Sequence, residues 1–292
     1  MDVAIIGIGK MGRAIAERLA SEGHNLTLWN RTAARAKGVE NTEVATTPAR
    51  ATEAATVILS VLANDTAIEA AYFGDNGVCS ADLSGKVVVE MCTTSPEQVQ
   101  RLEAAVNAQG GLFLECPVGG TIGPARAGQL LGLAGGSGAA FTAAEPVLRQ
   151  ITRRLEHLGP VGTGAAMKLA INLPLMVYWG AVGEALGLAQ GQGIDADMAV
   201  SLLIDSSGAI GAAKNRVPPV AAMRNSGDPG GVSLALNNGV KDMGLMQALA
   251  AQHGVPSEVV SAALAKALKA QEAGWGDHDT SLYGVFGQGS SA

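Results

Sequence analysis

A glycine-rich turn between an apolar run and a helical pattern most constrains how this chain can fold. The turn Gly7-Ile8-Gly9-Lys10-Met11-Gly12 has the spacing GxGxxG. It follows the apolar run 3–6 and opens the helical pattern 11–21, and a second apolar run follows at 25–29. Strand, helix and strand within about thirty residues predict a βαβ unit.

The rest of the chain divides into two patterns. Short apolar runs, with helical stretches such as 95–109 between several of them, occur at 57–62, 87–91, 112–114 and 129–134. This alternation predicts a mostly parallel sheet with helices on both faces. Helical patterns then take over at 164–190, 196–204, 233–253 and 257–271. We therefore expect an α/β domain at residues 1–161 and an all-α domain at residues 162–292.

Composition and charge exclude several classes of protein. A chain with 48% hydrophobic and 16% charged residues is not intrinsically disordered. A net charge of −6 argues against a nucleic-acid or anionic-membrane partner. The longest apolar stretch, residues 169–183, is shorter than the roughly 20 residues that span a bilayer, so it predicts a buried helix.

The cysteines and the N-terminal segment indicate the compartment. Cys79, Cys92 and Cys116 are an odd number without metal-binding spacing, which is typical of a reducing environment. The first residues show neither the basic stretch nor the cleavage site of a signal peptide. We predict a cytoplasmic protein without a protein-ligated metal.

The glycine turn has the features of a dinucleotide site. Gly7 permits a tight turn, Gly9 lets a pyrophosphate approach the backbone, and Gly12 lets helix and strand pack closely. The helix that opens at Lys10 and Met11 supplies N–H groups and a partial positive charge to the phosphates. The alternative is a strand–helix turn without a ligand.

The end of the second apolar run indicates the type of cofactor. It reads Trp29-Asn30-Arg31-Thr32 and lacks the carboxylate that often binds the ribose 2′-hydroxyl of NAD. Arg31 can offer charge-assisted bonds to a 2′-phosphate, and Asn30 and Thr32 can add neutral donors. We predict a preference for NADPH, with NADH possible as a second cofactor. A solvated surface role for Arg31 is the alternative.

Five motifs stand in a fixed order along the whole chain. They comprise residues 7–12 with 29–32, 90–96 (Glu-Met-Cys-Thr-Thr-Ser-Pro), 116–120 (Cys-Pro-Val-Gly-Gly), 164–172 (Gly-Ala-Ala-Met-Lys-Leu-Ala-Ile-Asn) and 240–242 (Val-Lys-Asp). In these motifs, and in the ending at 276–279, the chain resembles the β-hydroxyacid dehydrogenases, which include 3-hydroxyisobutyrate dehydrogenase and tartronate semialdehyde reductase.

The resemblance implies an architecture and an activity. It implies a Rossmann domain, a long interdomain helix and an all-α C-terminal domain that dimerises, so we expect a homodimer or homotetramer. It also implies reversible hydride transfer between a nicotinamide and a small hydroxyacid or its aldehyde or ketone. The expected partner is therefore a small-molecule substrate.

The resemblance also assigns residues to the site. The catalytic lysine of the family matches Lys168, and its substrate-site asparagine matches Asn172. The cofactor-site threonine matches Thr93. The lysine on the nicotinamide side of the cleft matches Lys241, and its neighbour Asp242 is expected at the substrate.

The chemistry of these residue types agrees with those roles. Lys168 and Asn172 are four residues apart and face one side of a helix. An ammonium group can stabilise the charge that builds on a carbonyl oxygen and then donate the proton. The alternatives are a lysine that reaches solvent beside a structural amide, and a surface charge pair for Lys241 and Asp242.

Two strand ends complete the predicted site. Thr93 follows one apolar run, and Leu62, Ala63 and Asn64 end another, where ligands bind in open α/β sheets. We expect the segment 62–64 to follow the ribose path of the cofactor. Ordinary strand-end turns are the alternative.

One loop departs from the family pattern. Where the family usually reads Pro-Val-Ser-Gly-Gly, this chain reads Pro117-Val118-Gly119-Gly120-Thr121. We expect Gly119, Gly120 and Thr121 at the substrate, whose acid group this change leaves open. Two other functions are also open: imine reduction, although imine reductases usually lack the lysine, and NADPH binding without catalysis.

Overall fold

The computed structural model describes residues 1–40 and 42–288. The chain divides into two compact units, Met1–Lys168 and Leu169–Ala292. The strands, all in the first unit, are β1 (Asp2–Ile6), β2 (Asn25–Trp29), β3 (Thr42–Val44), β4 (Val57–Ser60), β5 (Val87–Glu90), β6 (Leu112–Glu115), β7 (Val118–Gly119), β8 (Leu130–Gly136) and β9 (Thr152–Gly159). The helices of this unit are α1 (Lys10–Ser21), α2 (Pro48–Thr52), α3 (Asp65–Phe73), α4 (Pro96–Ala108), α5 (Ile122–Arg126) and α6 (Gly138–Ile151).

The strands of the first unit form one mixed sheet. Their order is β3-β2-β1-β4-β5-β6-β8-β7, and β9 pairs with β8. The strands from β1 to β6 are parallel, whereas β8 runs antiparallel to β6 and β7. The order 3-2-1-4-5-6 confirms the doubly wound Rossmann domain, and its topological switch point lies between β1 and β4.

Alternate residues of the parallel strands enter two separate apolar cores. Ile5 and Val89 belong to the core on one face of the sheet, and Ile6 and Val88 belong to the core on the other. All four are fully buried. Because both faces are covered, the strands read as continuous apolar runs without alternation.

Three strands were not predicted from the sequence patterns. β3 and β7 are too short to give a periodic signal. β9 reads Thr-Arg-Arg-Leu-Glu-His-Leu-Gly, and most of its side chains are exposed or half-buried. The composition of this strand therefore does not look like that of a sheet interior, although it pairs parallel to β8.

The second unit is all-α among its described residues, as predicted. Its helices are the greater part of α7 (Thr163–Gly191), then α8 (Ala196–Asp205), α9 (Ala213–Arg216), α10 (Pro218–Ser226), α11 (Leu236–Gln252) and α12 (Glu258–Ala270). α9 and α10 had no predicted counterpart, because the Pro218-Pro219 pair that opens α10 reads as a loop signal. The predicted domain boundary after residue 161 stays a prediction, since α7 itself crosses the division at Lys168.

The long helix α7 supplies much of the core of the second unit. It is long and apolar enough to cross a membrane by length and composition, a test that core helices of soluble proteins also pass. Met176 and Trp179 on this helix are fully buried in the apolar cluster of the unit. This burial agrees with the buried helix predicted for residues 169–183.

The segment around Asp279 ties the second unit together. Its carboxylate accepts hydrogen bonds from the backbone N–H of Ser233 (2.7 Å) and of Ser281 (3.0 Å), and from the guanidinium of Arg216 (2.6 Å). The Arg216 guanidinium lies 4.9 Å from the ring centre of Trp179. The residues that follow are core residues: Leu282, Tyr283 and Val285.

Candidate active site

The three glycines of the GxGxxG turn differ in what surrounds them. Gly7 has a φ of +102°, and a Cβ atom there would overlap the carbonyl oxygen of Val61. A Cβ atom on Gly12 would overlap the carbonyl oxygen of Gly7. A Cβ atom on Gly9 would meet nothing within 4 Å. Packing therefore requires the first and third glycines, and the second leaves open space at the start of α1.

The start of α1 fits a pyrophosphate. The helix begins at Lys10, and the residue before it, Gly9, makes no side-chain capping bond. The first turn holds no acidic residue. The first N–H groups of a helix have no partner within the helix and carry a partial positive charge, so this end can accept an anion.

The amide of Asn30 fixes the glycine turn to the end of β2. Its Oδ1 accepts a hydrogen bond from the N–H of Ile8 (3.0 Å), and its Nδ2 donates to the carbonyl of Thr32 (3.0 Å). The amide thus bonds to the glycine turn and to the residue that follows the exposed Arg31. The predicted contact of Asn30 with the cofactor stays a prediction.

A side chain of α1 bonds to the segment after Arg31. The Arg13 guanidinium donates to the carbonyl of Arg35 (2.7 Å) and to that of Lys37 (2.6 Å). Sequence reasoning missed this contact, because nothing in the pattern of α1 shows which carbonyls its arginine meets.

The ends of β4 and β5 are joined at the predicted ribose segment. The N–H of Leu62 donates to the Cys92 sulfur, and the Cys92 thiol donates to the carbonyl of Leu62, both at 2.9 Å. Asn64 caps α3 by accepting from the N–H of Ala67 (2.9 Å). Since β4 and β5 are adjacent and parallel, the segment 62–64 and Thr93 lie at the same edge of the sheet.

Two buried carboxyl groups end neighbouring strands. Glu90 and Glu115 are partners in the register of β5 and β6, and both are fully buried. Burial raises the pKa of Glu90, whose Oε1 accepts from the N–H of Cys92 (2.8 Å). Burial also raises the pKa of Glu115 to about 7, although three backbone N–H bonds oppose the rise. Glu90 opens the motif 90–96 but was given no role there, and Glu115 was not singled out by the sequence patterns.

The three donors to Glu115 come from the start of α7 and the residue just before it. Its Oε1 accepts from the N–H of Gly162 (2.6 Å) and of Gly164 (2.9 Å), and its Oε2 accepts from the N–H of Ala165 (3.0 Å). The same helix carries Lys168 one turn further along.

In the loop 117–121, which departs from the family pattern, one glycine is required for steric reasons. Gly120 has a φ of +130°, and a Cβ atom there would lie 2.7 Å from Cδ2 of Leu130. A Cβ atom on Gly119 would lie 3.4 Å from Cβ of Leu131, which is an ordinary contact. Thr121 precedes α5 and is exposed.

The second unit brings three predicted residues together. The Asn172 amide donates to Oδ2 of Asp242 (3.4 Å), and the Lys241 ammonium lies 3.1 Å from Oδ1 of the same carboxylate. Asp242 is only 3% exposed and Asn172 is 7% exposed. The pair at 241 and 242 is therefore not a solvated surface pair.

Comparisons with known proteins match both units. Residues 2–159 match the NAD binding domain of 6-phosphogluconate dehydrogenase. Residues 162–285 match the family described as NAD-binding of NADP-dependent 3-hydroxyisobutyrate dehydrogenase. The chain is 31% identical to glyoxylate/succinic semialdehyde reductase 1 of Arabidopsis thaliana, with 96% of each chain covered.

Two further proteins extend the comparison. The chain is 31% identical to 3-hydroxyisobutyrate dehydrogenase of Pseudomonas aeruginosa, over 91% of this chain and 90% of that one. The crystal structure of 3-hydroxyisobutyrate dehydrogenase from Salmonella typhimurium matches with a TM-score of 0.87 and 25% identity, over 97% and 98% of the two chains.

The chain belongs to the β-hydroxyacid dehydrogenase family. It is an NAD(P)-dependent oxidoreductase acting on CH–OH groups. The fingerprint turn and the start of α1 fit the pyrophosphate of such a cofactor, as described above. Within the described residues, no group of three His, Cys, Asp or Glu side chains could hold a metal ion.

As a β-hydroxyacid dehydrogenase, the protein uses side-chain contacts that its motifs alone do not reveal. Arg13, Cys92 and Glu115 each fix backbone beside a predicted site residue. Their partners lie between 22 and 50 residues away in the chain. Only a tertiary structure could have found them.

Proposed function

We propose that the protein is an NADPH-preferring reductase of small semialdehydes or keto acids, with Lys168 as proton donor. The names of two relatives support this substrate class: a glyoxylate/succinic semialdehyde reductase and a 3-hydroxyisobutyrate dehydrogenase. The observation that carries the proposal is the family pair Lys168 and Asn172, four residues apart on one continuous helix, α7.

The proposed chemistry divides between cofactor and protein. A nicotinamide, when bound, supplies the hydride. The Lys168 ammonium stabilises the charge that builds on the carbonyl oxygen and donates the proton to it. In the oxidative direction the same amine accepts that proton. Asn172 orients the substrate oxygen, since its amide offers both a donor and an acceptor.

The proposed preference for NADPH depends on Arg31. Its side chain is exposed, and the side chains of Asn30 and Arg13 bond to the backbone that follows it, at Thr32 and Arg35. A guanidinium can make bidentate bonds to a 2′-phosphate. No carboxylate in the segment 29–32 opposes that phosphate.

A substrate screen that follows NADPH absorbance tests the reaction. The panel contains short semialdehydes, keto acids and cyclic imines, with Lys168→Ala beside the matched surface variant Lys269→Ala. We expect Lys168→Ala to bind NADPH normally and to lose turnover by about a hundredfold or more. Equal turnover in the two variants would overturn the role of Lys168. Faster turnover of imines than of aldehydes would replace the proposed substrate class.

A separate measurement tests the cofactor. Arg31→Ala should raise KM for NADPH by about tenfold or more and leave KM for NADH nearly unchanged, because only NADPH carries the 2′-phosphate. Arg153→Ala, at an exposed position of β9, is the matched control. A lower KM for NADH than for NADPH in the parent enzyme would refute the preference.

We also propose self-association through the second unit. Three aliphatic side chains on α7 and α8 are strongly exposed: Leu188 at 78%, Met198 at 57% and Leu202 at 60%. Large exposed apolar side chains are a feature of interaction sites. Light scattering should give at least twice the chain mass of 29.4 kDa, and a monomer would contradict this proposal.

A further inference from the structure

The carboxylate of Glu115 occupies a site built for it. A Cβ atom on Gly135 of β8 would overlap Oε1 of Glu115, and a Cβ atom on Gly164 would overlap the carbonyl oxygen of Leu133. The two glycines therefore let the strand end, the carboxyl group and the helix start approach one another. The side chain is fully buried, so no water competes for its oxygens.

The number of donors decides which form of the group fits. Three N–H groups point at two oxygens, at 2.6, 2.9 and 3.0 Å. An ionised carboxylate can accept all three bonds, because it has acceptor positions only. A glutamine has an NH₂ donor in place of one oxygen, so it must lose at least one of the bonds. A protonated carboxyl group keeps an O–H oxygen that accepts only weakly, so the bond at that oxygen weakens. The positive end of the α7 dipole favours the ionised form as well.

The bonded residues connect this group to the proposed proton donor. Lys168 follows Ala165 by three residues, which is less than one turn of the same helix. A shift of the first turn therefore moves the backbone that presents the lysine. A misplacement of about 1 Å in a reacting group can reduce turnover by about a hundredfold.

We propose that Glu115 is a positioning residue: in its ionised form it fixes the first turn of α7 and thereby the backbone that presents Lys168. The proposal rests on the proposed role of Lys168 as proton donor. Protonation weakens the bond at the oxygen that takes the proton, which loosens the first turn of α7 and lowers turnover without a change in cofactor affinity.

Burial and the neighbouring charged groups place the protonation of Glu115 in the neutral range. Burial is the main cause of its raised pKa of about 7, and the charge of Glu103 on α4 raises it further. Glu90 lies beside it in register on β5, and burial raises the pKa of that group too. Cys116, the next residue, has a pKa of about 12 and stays a thiol at neutral pH.

The test compares pH profiles of kcat for the parent enzyme, Glu115→Gln and Glu103→Gln. In the parent, kcat should fall below about pH 7. Glu115→Gln should lack this acid limb and show kcat lowered by about tenfold or more across the profile, with KM for NADPH unchanged. Glu103→Gln removes a neighbouring charge, so its acid limb should move to lower pH while its plateau stays at the parental value.

Hydrogen exchange supplies a readout that does not depend on catalysis. The amides of Gly164 and Ala165 should lose protection in Glu115→Gln and keep it in Glu103→Gln at the same pH. If Glu115→Gln keeps the parental kcat, the parental acid limb and the parental amide protection while Lys168→Ala is inactive, the positioning role alone is overturned. Full turnover in Lys168→Ala would instead overturn the proposed function.

Discussion

The buried carboxyl group at the end of β6 should make the first unit less stable as pH rises. Its pKa is 4.5 in an unfolded chain and about 7 in the folded one. Between these values the folded chain holds a proton that the unfolded chain has released, so stability falls as pH rises through this window. At about 1.4 kcal/mol per pKa unit the whole effect is about 3 kcal/mol, of which about 2 kcal/mol is lost between about pH 5 and pH 7.

A difference between two chains isolates this contribution. Glu115→Gln is neutral at every pH, whereas all other titrating groups are common to both chains. The free energy of unfolding of the parent minus that of the variant should therefore fall by about 2 kcal/mol between about pH 5 and pH 7. Hydrogen-exchange mass spectrometry at graded urea concentrations, read on peptides that cover β5 and β6, measures the first unit alone.

The sign of the result is the sharp part of the test. Over the same interval we expect turnover to rise, because the ionised form holds the start of α7, so activity and stability should change in opposite directions. A stability difference that stays constant or grows with pH would refute the reasoning about burial.

Four further substitutions test the steric account of the glycines. Gly9→Ala should unfold at the parental Tm and bind NADPH at least about tenfold more weakly in a fluorescence titration. Gly12→Ala should weaken binding and also lower Tm, because only the Cβ atom at position 12 meets protein backbone. Equal Tm values for the two variants would contradict this account. Gly119→Ser should fold at parental stability and change KM for substrates with an acid group more than for neutral aldehydes, since its Cβ atom has room; a drop in Tm of several degrees would show that it does not. Gly183→Ala should destabilise the second unit by about 2 kcal/mol or more in urea unfolding, because its Cβ atom would overlap the backbone of Gly284; parental stability would show that the two segments can separate without cost.

The sequence predicted the first unit well where its signals are local. The βαβ start needs only an apolar run, three glycines and a helical period, and these lie within about thirty residues. The ends of β2, β4 and β5 follow from the same runs. β9 was not predicted, because an edge strand exposes most of its side chains and so carries charged residues.

The sequence motifs predicted the residues of the candidate site but not the hydrogen bonds that hold the backbone beside them. Lys168, Asn172 and Asp242 could be named because their types and spacing match a family. Asn30 illustrates the limit: the sequence predicts that its amide contacts the cofactor, and only the structure shows that the amide also bonds to Ile8 and Thr32. Whether a polar side chain faces a ligand or its own backbone depends on chain segments that lie far away in the sequence.

The hydrogen bonds around Asp279 affect when the second unit can fold during synthesis. The first half of α7 emerges more than a hundred residues before Asp279 and the core residues Leu282 and Tyr283. Until those residues are made, Trp179 lacks the partners that cover it, and Arg216 lacks its carboxylate. The Rossmann unit can close during synthesis, whereas the helical unit gains these core residues and hydrogen bonds only with the segment around Asp279.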